Sequence, residues 1–312
     1  MPALRIGLHT DGDPWEPDEF KLVEDVGFDI LTTGEHIVFH RPILDVITVL
    51  AYAAAVTKSI KLAPSTIILP LRHPTIIAKE LTSLDVLSRG RLIASIGIGG
   101  DYPREFPACG VPKSQRGKRS NEALEIIRKY WRGERFDYEG EIFQLHDVDM
   151  LPGPVQENGP PIWVCGRSEA AMRRAVRLGD GWQPYMYTAE QFQHSVKRIS
   201  EIAEQEQRPL AEDFAYTSFS YVSMDASVER ARDYAIEQLS YRFDLPFEKI
   251  VDKYCAYGPP ERIVESLAAY VAAGATNLIV ALVMPPEDRR TWIRRFAEEV
   301  LPGLRQLNRV SG

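Results

Sequence analysis

Short apolar runs alternate along this chain with longer amphipathic segments. LRIGLHT (4–10) precedes PDEFKLVEDVG (17–27), FDILTTGEH (28–36) precedes LDVITVLAYAAAVT (44–57), and IKLAPSTII (60–68) precedes PTIIAKELTSLDVLSRG (74–90). The runs have strand length and the amphipathic segments helix length, and this order calls for parallel strands joined by helical crossovers. Pro17 suits a first helical turn and Gly27 a left-handed helix exit. RLIASIGIGG (91–100) reads as a fourth strand, followed by a long loop and a helix over about 121–131. The alternation in 136–146 predicts a small hairpin outside the main repeat. Strands are expected again at 161–165, 181–184, 214–224 and 277–285, with helices after 168, over 189–206 and over 287–301. The aromatic and proline-rich stretch 241–260 reads as irregular, an inserted lid or a partner contact.

About eight strand–helix repeats with no linker and no break in composition predict an α/β fold, a (β/α)8 TIM-type barrel with loop insertions, as one domain over 1–312. An open doubly wound sheet is the alternative. Hydrophobic residues at 45% and charged residues at 26% support a large core. A net charge of −7 gives no footprint for nucleic acid or an anionic membrane. The basic clusters at Arg116, Lys118 and Arg119 and at Arg289, Arg290, Arg294 and Arg295 have acidic neighbours and read as solvated helix faces. No apolar run reaches membrane-spanning length and no leader pattern is present, so a cytoplasmic protein is expected. Cys109, Cys165 and Cys255 lie far apart, without metal-ligand spacing, and fit reduced thiols.

In a parallel barrel the chemistry belongs at the carboxyl ends of the strands. His9 and Thr10, Glu35 and His36, Ser65 and Thr66, and Gly97 to Asp101 occupy such ends. Glu35 next to His36 can supply an acid or base, because imidazole titrates near neutrality and a carboxylate can orient it; a structural hydrogen-bonding histidine is the competing reading. No metal is expected, since no second acidic motif stands at ligand spacing. In CGRSEAAMRRAV a strand runs through Gly166, Arg167 and Ser168 into a helix, so backbone N–H groups, a guanidinium and a hydroxyl can meet one phosphate. Ser168 serves equally as a simple N-cap, without a capping box because the third helical residue is Ala171. The glycines of SIGIGGDY (95–102), Gly99 among them, allow either close approach of a flat cofactor or a tight turn.

Taken in order, GFDILTTGEHIVF, the run from LAYAAAVTKSIKLAPSTIILPLRHP through SLDVLSRGRLIASIGIGGDYPREF, and PPIWVCGRSEAAMRRAVRLGDGW cover most of 27–182. This text resembles the luciferase-like monooxygenase superfamily and, within it, the F420-dependent oxidoreductases. The resemblance implies a barrel with an isoalloxazine or deazaflavin ring at the carboxyl face. It implies that His36 with Glu35 is the catalytic pair near the ring. Thr66 then lies in a strand-three bulge that often carries a non-prolyl cis peptide behind the ring, and Gly166, Arg167 and Ser168 form the phosphate turn. Gly99 would approach the cofactor from strand four. Arg72, His73 and Pro74, the SLDVLSRGR turn, Arg116–Gly117 and Asp180 to Trp182 match as architecture, with Trp182 able to pack near the ring. Cys165 stands where the family commonly has glycine, and GIGGDYPREF replaces a Gly-Trp form.

Three functions follow. The first is F420-dependent hydride exchange with a small organic substrate, with His36 handling the proton. The second is an FMNH2-dependent monooxygenase, and the third a non-catalytic flavin-binding barrel. The cofactor is F420 or FMN, the substrate a small molecule, and the resemblance carries the expectation of a homodimer. Trp15, Phe39, Tyr102, Phe106 and Tyr185 are the aromatic candidates for an apolar pocket over the ring.

Overall fold

A computed structural model describes residues 3–10, 14–283, 285 and 288–310. Its first half comprises β1 (Arg5–His9), α1 (Pro17–Asp25), β2 (Ile30–Thr33), α2 (Val46–Val56), β3 (Lys61–Pro64), β4 (Ile67–Ile68), α3 (Pro74–Ser88), β5 (Ala94–Gly97), α4 (Glu105–Ala108) and α5 (Arg116–Trp131). A hairpin follows, β6 (Phe136–Glu139) and β7 (Gln144–Val148), and then β8 (Ile162–Cys165), α6 (Glu169–Leu178), β9 (Gly181–Gln183) and α7 (Ala189–Gln205). The chain ends with β10 (Ala215–Met224), α8 (Val228–Phe243), α9 (Val251–Tyr254), β11 (Cys255–Gly258), α10 (Pro260–Ala272), β12 (Asn277–Leu282), α11 (Arg289–Glu299) and α12 (Leu301–Val310).

The hydrogen-bonded order is β3-β2-β1-β12-β10-β9-β8-β5-β4, parallel at each junction given by the register, and a bridge between Leu62 and Leu92 spans the remaining seam. β3 and β4 are therefore two halves of one barrel strand, interrupted at Ser65 and Thr66, and the predicted eight-stranded parallel barrel is the architecture found. The apolar faces of the strands pack outward against the helices through residues such as Leu8, Leu31, Val49 and Leu81. The inward faces fill the barrel with Ile30, Ala63, Trp163, Phe219 and Ile279. Gly7 makes room for this filling, since a Cβ there would lie 2.5 Å from Ile279 Cδ1.

Several boundaries differ from the sequence reading. The helix expected from 121 begins at Arg116. The expected closing helix breaks at Val300 into α11 and α12, where Pro302 lacks the N–H that would continue the ladder. The stretch 241–260 is ordered: it holds the last turn of α8, a 3-10 turn at Phe247–Lys249, α9 and β11, and it buries Phe247 and Val251. Strand geometry explains it. β10 is ten residues long while β9 pairs only with Ala215 and Tyr216, so β10 overruns its neighbour, and β11 covers the exposed edge from Tyr221 to Met224. Arg289, expected on a solvated face, is buried, lies over the Trp15 ring and pairs with Glu19 at 3.0 Å. Among the described residues, no helix is long and apolar enough to cross a membrane.

Carboxylates tie the connections down by accepting main-chain N–H groups. Glu122 receives those of Glu141, Ile142 and Phe143 and so holds the hairpin on α5. Asp85 receives those of Val155 and Gln156. Glu24 receives those of Lys58, Ser59 and Ile60 and the Ser59 hydroxyl. Partial burial pushes the Glu24 carboxyl up, but the Ser59 hydroxyl and the three N–H donors outweigh it and hold the pKa at about 2, below the usual 4.5. A depressed folded-state pKa stabilises fully above the unfolded value and loses that contribution as pH falls through the folded one. Glu24→Gln should therefore lower the melting temperature at neutral pH, and the gap to the parent should shrink as acid unfolding is followed from about pH 5 to about pH 2.

Candidate active site

His36 lies on the irregular segment after β2, at the carboxyl rim of the barrel. Its Nδ1 stands 3.3 Å from Glu105 Oε1, and the same oxygen accepts the Ile37 N–H at 2.7 Å. Glu105 is 1% exposed and opens α4, in the connection after β5. The ring of His36 is stacked on Phe39 with centroids 3.8 Å apart and planes 1° from parallel, and Tyr102 meets both rings edge-on. Two rim connections thus close on one imidazole and fix its plane.

The sequence offered Glu35 as the carboxylate that orients His36; the structure gives that contact to Glu105, 69 positions away from the histidine. Glu35 faces away from His36, accepting the Ile68 N–H at 2.6 Å and pairing with Arg72, which also reaches Asp45 at 2.9 Å. Burial raises the pKa of the Glu35 carboxyl, against the pull of Arg72 and the Ile68 N–H. Its place is between β4 and the start of α3, where it anchors the broken third strand.

At that break the Ser65–Thr66 peptide is cis. Thr66 covers Gly97, where a Cβ would come within 2.7 Å of Thr66 Cγ2, and the buried Thr66 hydroxyl has the Cys165 thiol as its neighbour. Beside it lies a polar strip that the sequence reading missed. Gln183 Nε2 donates to Ser65 Oγ at 3.0 Å, Ser95 Oγ donates to Gln183 Oε1 at 3.2 Å, and Cys165 Sγ stands 3.1 Å from Ser95 Oγ. Gln183 and Ser95 end or face inward from barrel strands, the one signal that could have marked them. Gly99 has φ +62°, and a Cβ there would lie 2.6 Å from Ile68 Cγ2, so backbone conformation and close packing both require glycine.

The turn after β8 is built as an open corner. Gly166 has φ +141°, donates its N–H to Gln183 O at 3.1 Å, and accepts the Trp182 indole N–H at 2.8 Å. Fully buried Trp182 therefore props the turn from below. Ser168 is the N-cap of α6, its hydroxyl accepting the Ala171 N–H at 3.2 Å, so the simple capping geometry is present. Arg167 is exposed and bonds to no described residue.

Across the rim from the polar strip, His9 Nδ1 stands 2.9 Å from Thr32 Oγ1, and its ring meets Phe219 edge-on. The hydroxyls of Tyr185 and Tyr221 are 2.9 Å apart, and Phe243 at the end of α8 packs on both rings. Of the five aromatic candidates, Tyr185 joins this wall, and Phe39 and Tyr102 join His36. Trp15 and Phe106 are core residues at 7% and 0% exposure.

One side of the rim is thus polar, with the Thr66 hydroxyl beside the Cys165 thiol and a glycine turn at Gly166 leading into α6, while the other is aromatic. That donor set fits a flat heterocycle carrying an anionic tail. The luciferase-like monooxygenase family profile matches residues 16–249. The chain belongs to the luciferase-like monooxygenase family. It is 26% identical to an F420-dependent glucose-6-phosphate dehydrogenase of Microbacterium testaceum, covering 97% of this chain and 98% of that one. It superposes with TM-score 0.84 on an F420-dependent secondary alcohol dehydrogenase in complex with an F420-acetone adduct, at 16% identity over 97% of this chain and 99% of that one. With the oxygenating constituent of 3,6-diketocamphane monooxygenase from Pseudomonas putida, in complex with FMN, the TM-score is 0.77 at 21% identity, over 97% and 99%.

Glu35→Gln removes the buried charge that faces half-buried Arg72 and should cost about 3 kcal/mol in urea unfolding, the low end for a broken buried pair, because Asp45 and Glu80 still face Arg72.

Proposed function

We propose that this chain is an oxidoreductase of small organic substrates that uses F420, with FMN as the second reading. The observation that carries it is the His36–Glu105 contact at the same carboxyl rim as the Ser65–Ser95–Gln183 polar strip. When bound, such a ring would accept or donate a hydride. The protein's part is the proton. Glu105 accepting from Nδ1–H leaves Nε2 as the free acceptor, so His36 can take the proton of a substrate hydroxyl or return it to a carbonyl oxygen. Phe39 and Tyr102 hold the imidazole plane. The aromatic wall of Tyr185, Phe219 and Tyr221 excludes water from the substrate side. Glu35 acts through its grip on β4 as a positioning residue. Thr66 and Gly99 bound the ring, and Gly166, Arg167 and Ser168 receive the phosphate. The F420-dependent relatives favour the first cofactor, and the FMN-bound monooxygenase of the same fold supports the second.

A second copy of the chain is the partner this reading includes. Ile76 and Leu87 lie on one stripe of α3, eleven residues apart, and Tyr52, Val86 and Leu151 add exposed apolar surface beside it. A homodimer across α2 and α3 would cover them. The three free thiols suit the reducing cytoplasm.

Titration with FMN, reduced FMN and F420, followed by fluorescence or difference absorption, tests the cofactor. Binding of F420 alone is expected; reduced-FMN binding with oxygen-dependent turnover would replace that reading with the monooxygenase one. With the cofactor in hand, His36→Ala should cut kcat on the order of a hundredfold or more while its Kd for cofactor holds. Arg167→Ala should instead weaken cofactor binding by roughly tenfold; the reverse pattern would exchange the two roles. For the dimer, light scattering should give twice the chain mass for the parent and a monomer for Leu87→Glu.

A further inference from the structure

The polar strip at the rim is a line of hydrogen bonds whose protons can be ordered. Gln183 closes β9 at 4% exposure, and Ser95 on β5 is fully buried. Ser95 Oγ lies 3.2 Å from Gln183 Oε1 and 3.1 Å from Cys165 Sγ, and that sulfur is 3.9 Å from the same amide oxygen. The Thr66 hydroxyl neighbours the thiol. At the other end of the amide, Gln183 Nε2 stands 3.0 Å from Ser65 Oγ. The line thus leaves the broken barrel strand at Thr66, crosses β8, β5 and β9, and returns to it at Ser65, across the cis peptide from where it began.

Each member has a fixed stock of protons and lone pairs. Burial pushes the Cys165 thiol up, so it keeps its proton. A thiol and a hydroxyl, both protic, converge on one end of the Gln183 amide; the oxygen belongs at that end, because sulfur is a weak acceptor for an amide N–H. Thr66 O–H then donates to Cys165 Sγ, Cys165 S–H to Ser95 Oγ, and Ser95 O–H to Gln183 Oε1. The Gln183 N–H goes to Ser65 Oγ, and Ser65 cannot return its own proton, since an amide nitrogen offers no lone pair. Among the described residues Gln183 is the one hydrogen-bond partner of that hydroxyl. Ser65 is partly exposed, at the carboxyl end of its barrel strand, with its side chain turned inward to meet Gln183. The surplus proton of the line therefore emerges at Ser65, toward the mouth of the barrel.

We propose that Ser65 is a ligand-contacting donor whose proton Gln183 aims into the mouth, and that it recognises a carbonyl oxygen of the pyrimidinedione edge common to F420 and FMN. The inference rests on the cofactor reading above. No ionised side chain belongs to the line, so the acceptor it suits is a neutral oxygen and not an anionic one. A hydroxyl whose lone pair is already engaged has its donor direction set before the ligand arrives, which spares the cost of orienting it on binding. Gln183 is a positioning residue that acts through Ser65.

Equilibrium binding of FMN, 2-thio-FMN, 4-thio-FMN and F420 tests this on the parent, Ser65→Ala, Gln183→Met and the double variant, each checked for an unchanged circular dichroism spectrum. A thiocarbonyl is the poorer acceptor, so the parent should bind one thio analogue about fivefold more weakly than FMN. Ser65→Ala should bind FMN about tenfold more weakly than the parent and no longer tell that analogue from FMN. Gln183→Met should lose part as much, because Ser65 is then free to turn, and the double variant should lose no more than Ser65→Ala alone. If the parent takes F420 alone, F420 should give the same order of affinities, and the visible band of the bound ring should shift between the parent and Ser65→Ala. A Ser65→Ala protein that binds like the parent, or that loses affinity with the analogue preference or the band unchanged, would overturn the assignment while leaving the cofactor reading standing. Losses that multiply in the double variant would overturn the role of Gln183. A parent that binds neither cofactor would overturn both readings. Should Ser65→Ala not fold, Ser65→Cys, with a weaker donor in the same place, decides by the same comparison.

Discussion

A main-chain N–H withdrawn from water must find an acceptor, and in this protein carboxylates at the loop junctions meet that demand repeatedly. Glu24, Glu35, Asp85, Glu105 and Glu122 each accept N–H groups from a segment distant in sequence. The barrel strands are short, several of only three or four residues, so their ladders alone leave the connections loosely specified. The carboxylates fix them, and the site inherits its geometry from two of these anchors. Glu35 sets the broken third strand on one side of His36, and Glu105 ties the segment carrying His36 to the connection after the fourth barrel strand.

The rim so assembled has two chemically distinct halves. Ser65, Thr66, Ser95, Cys165 and Gln183 gather on four consecutive barrel strands, and Phe219, Tyr185 and Tyr221 gather opposite, beside His9. In the proposed reading a polar heterocycle would be matched by the first half and an apolar substrate body by the second. This division follows from inward-facing positions recurring every second residue along each strand, so that a change of side-chain character from one strand to the next becomes a change of character around the ring.

The alternation of apolar runs and amphipathic segments was enough to read the barrel, because each repeat is local and its period is regular. The pairing of His36 with Glu105 was not legible, since an acidic residue in PREF gives no local sign of a histidine 69 positions earlier; adjacency made Glu35 the natural partner, and the Ile68 N–H and Arg72 hold it on the other side. The burial of Arg174 was hidden for another reason. MRRAVR has the look of a charged, solvated helix face, and only the packing of α6 against α5 shows that one of its arginines is enclosed. The segment around β11 escaped because four residues beside a proline carry no strand periodicity; its existence is dictated by the excess length of β10, a quantity visible only once β9 is known to be short.

That excess length bears on how substrate choice is encoded. Everything from Asp225 to Gly258 is an excursion hung on the last four residues of β10, and through Phe243 it touches the tyrosine pair on the aromatic half of the rim. The aromatic wall, which faces the substrate in the proposed reading, is therefore partly made by chain that contributes nothing to closing the barrel. Such a segment can be lengthened, shortened or exchanged while the eight-stranded ring, the polar half and the imidazole keep their places, which separates the chain's chemistry from its taste in substrates at a single sheet edge.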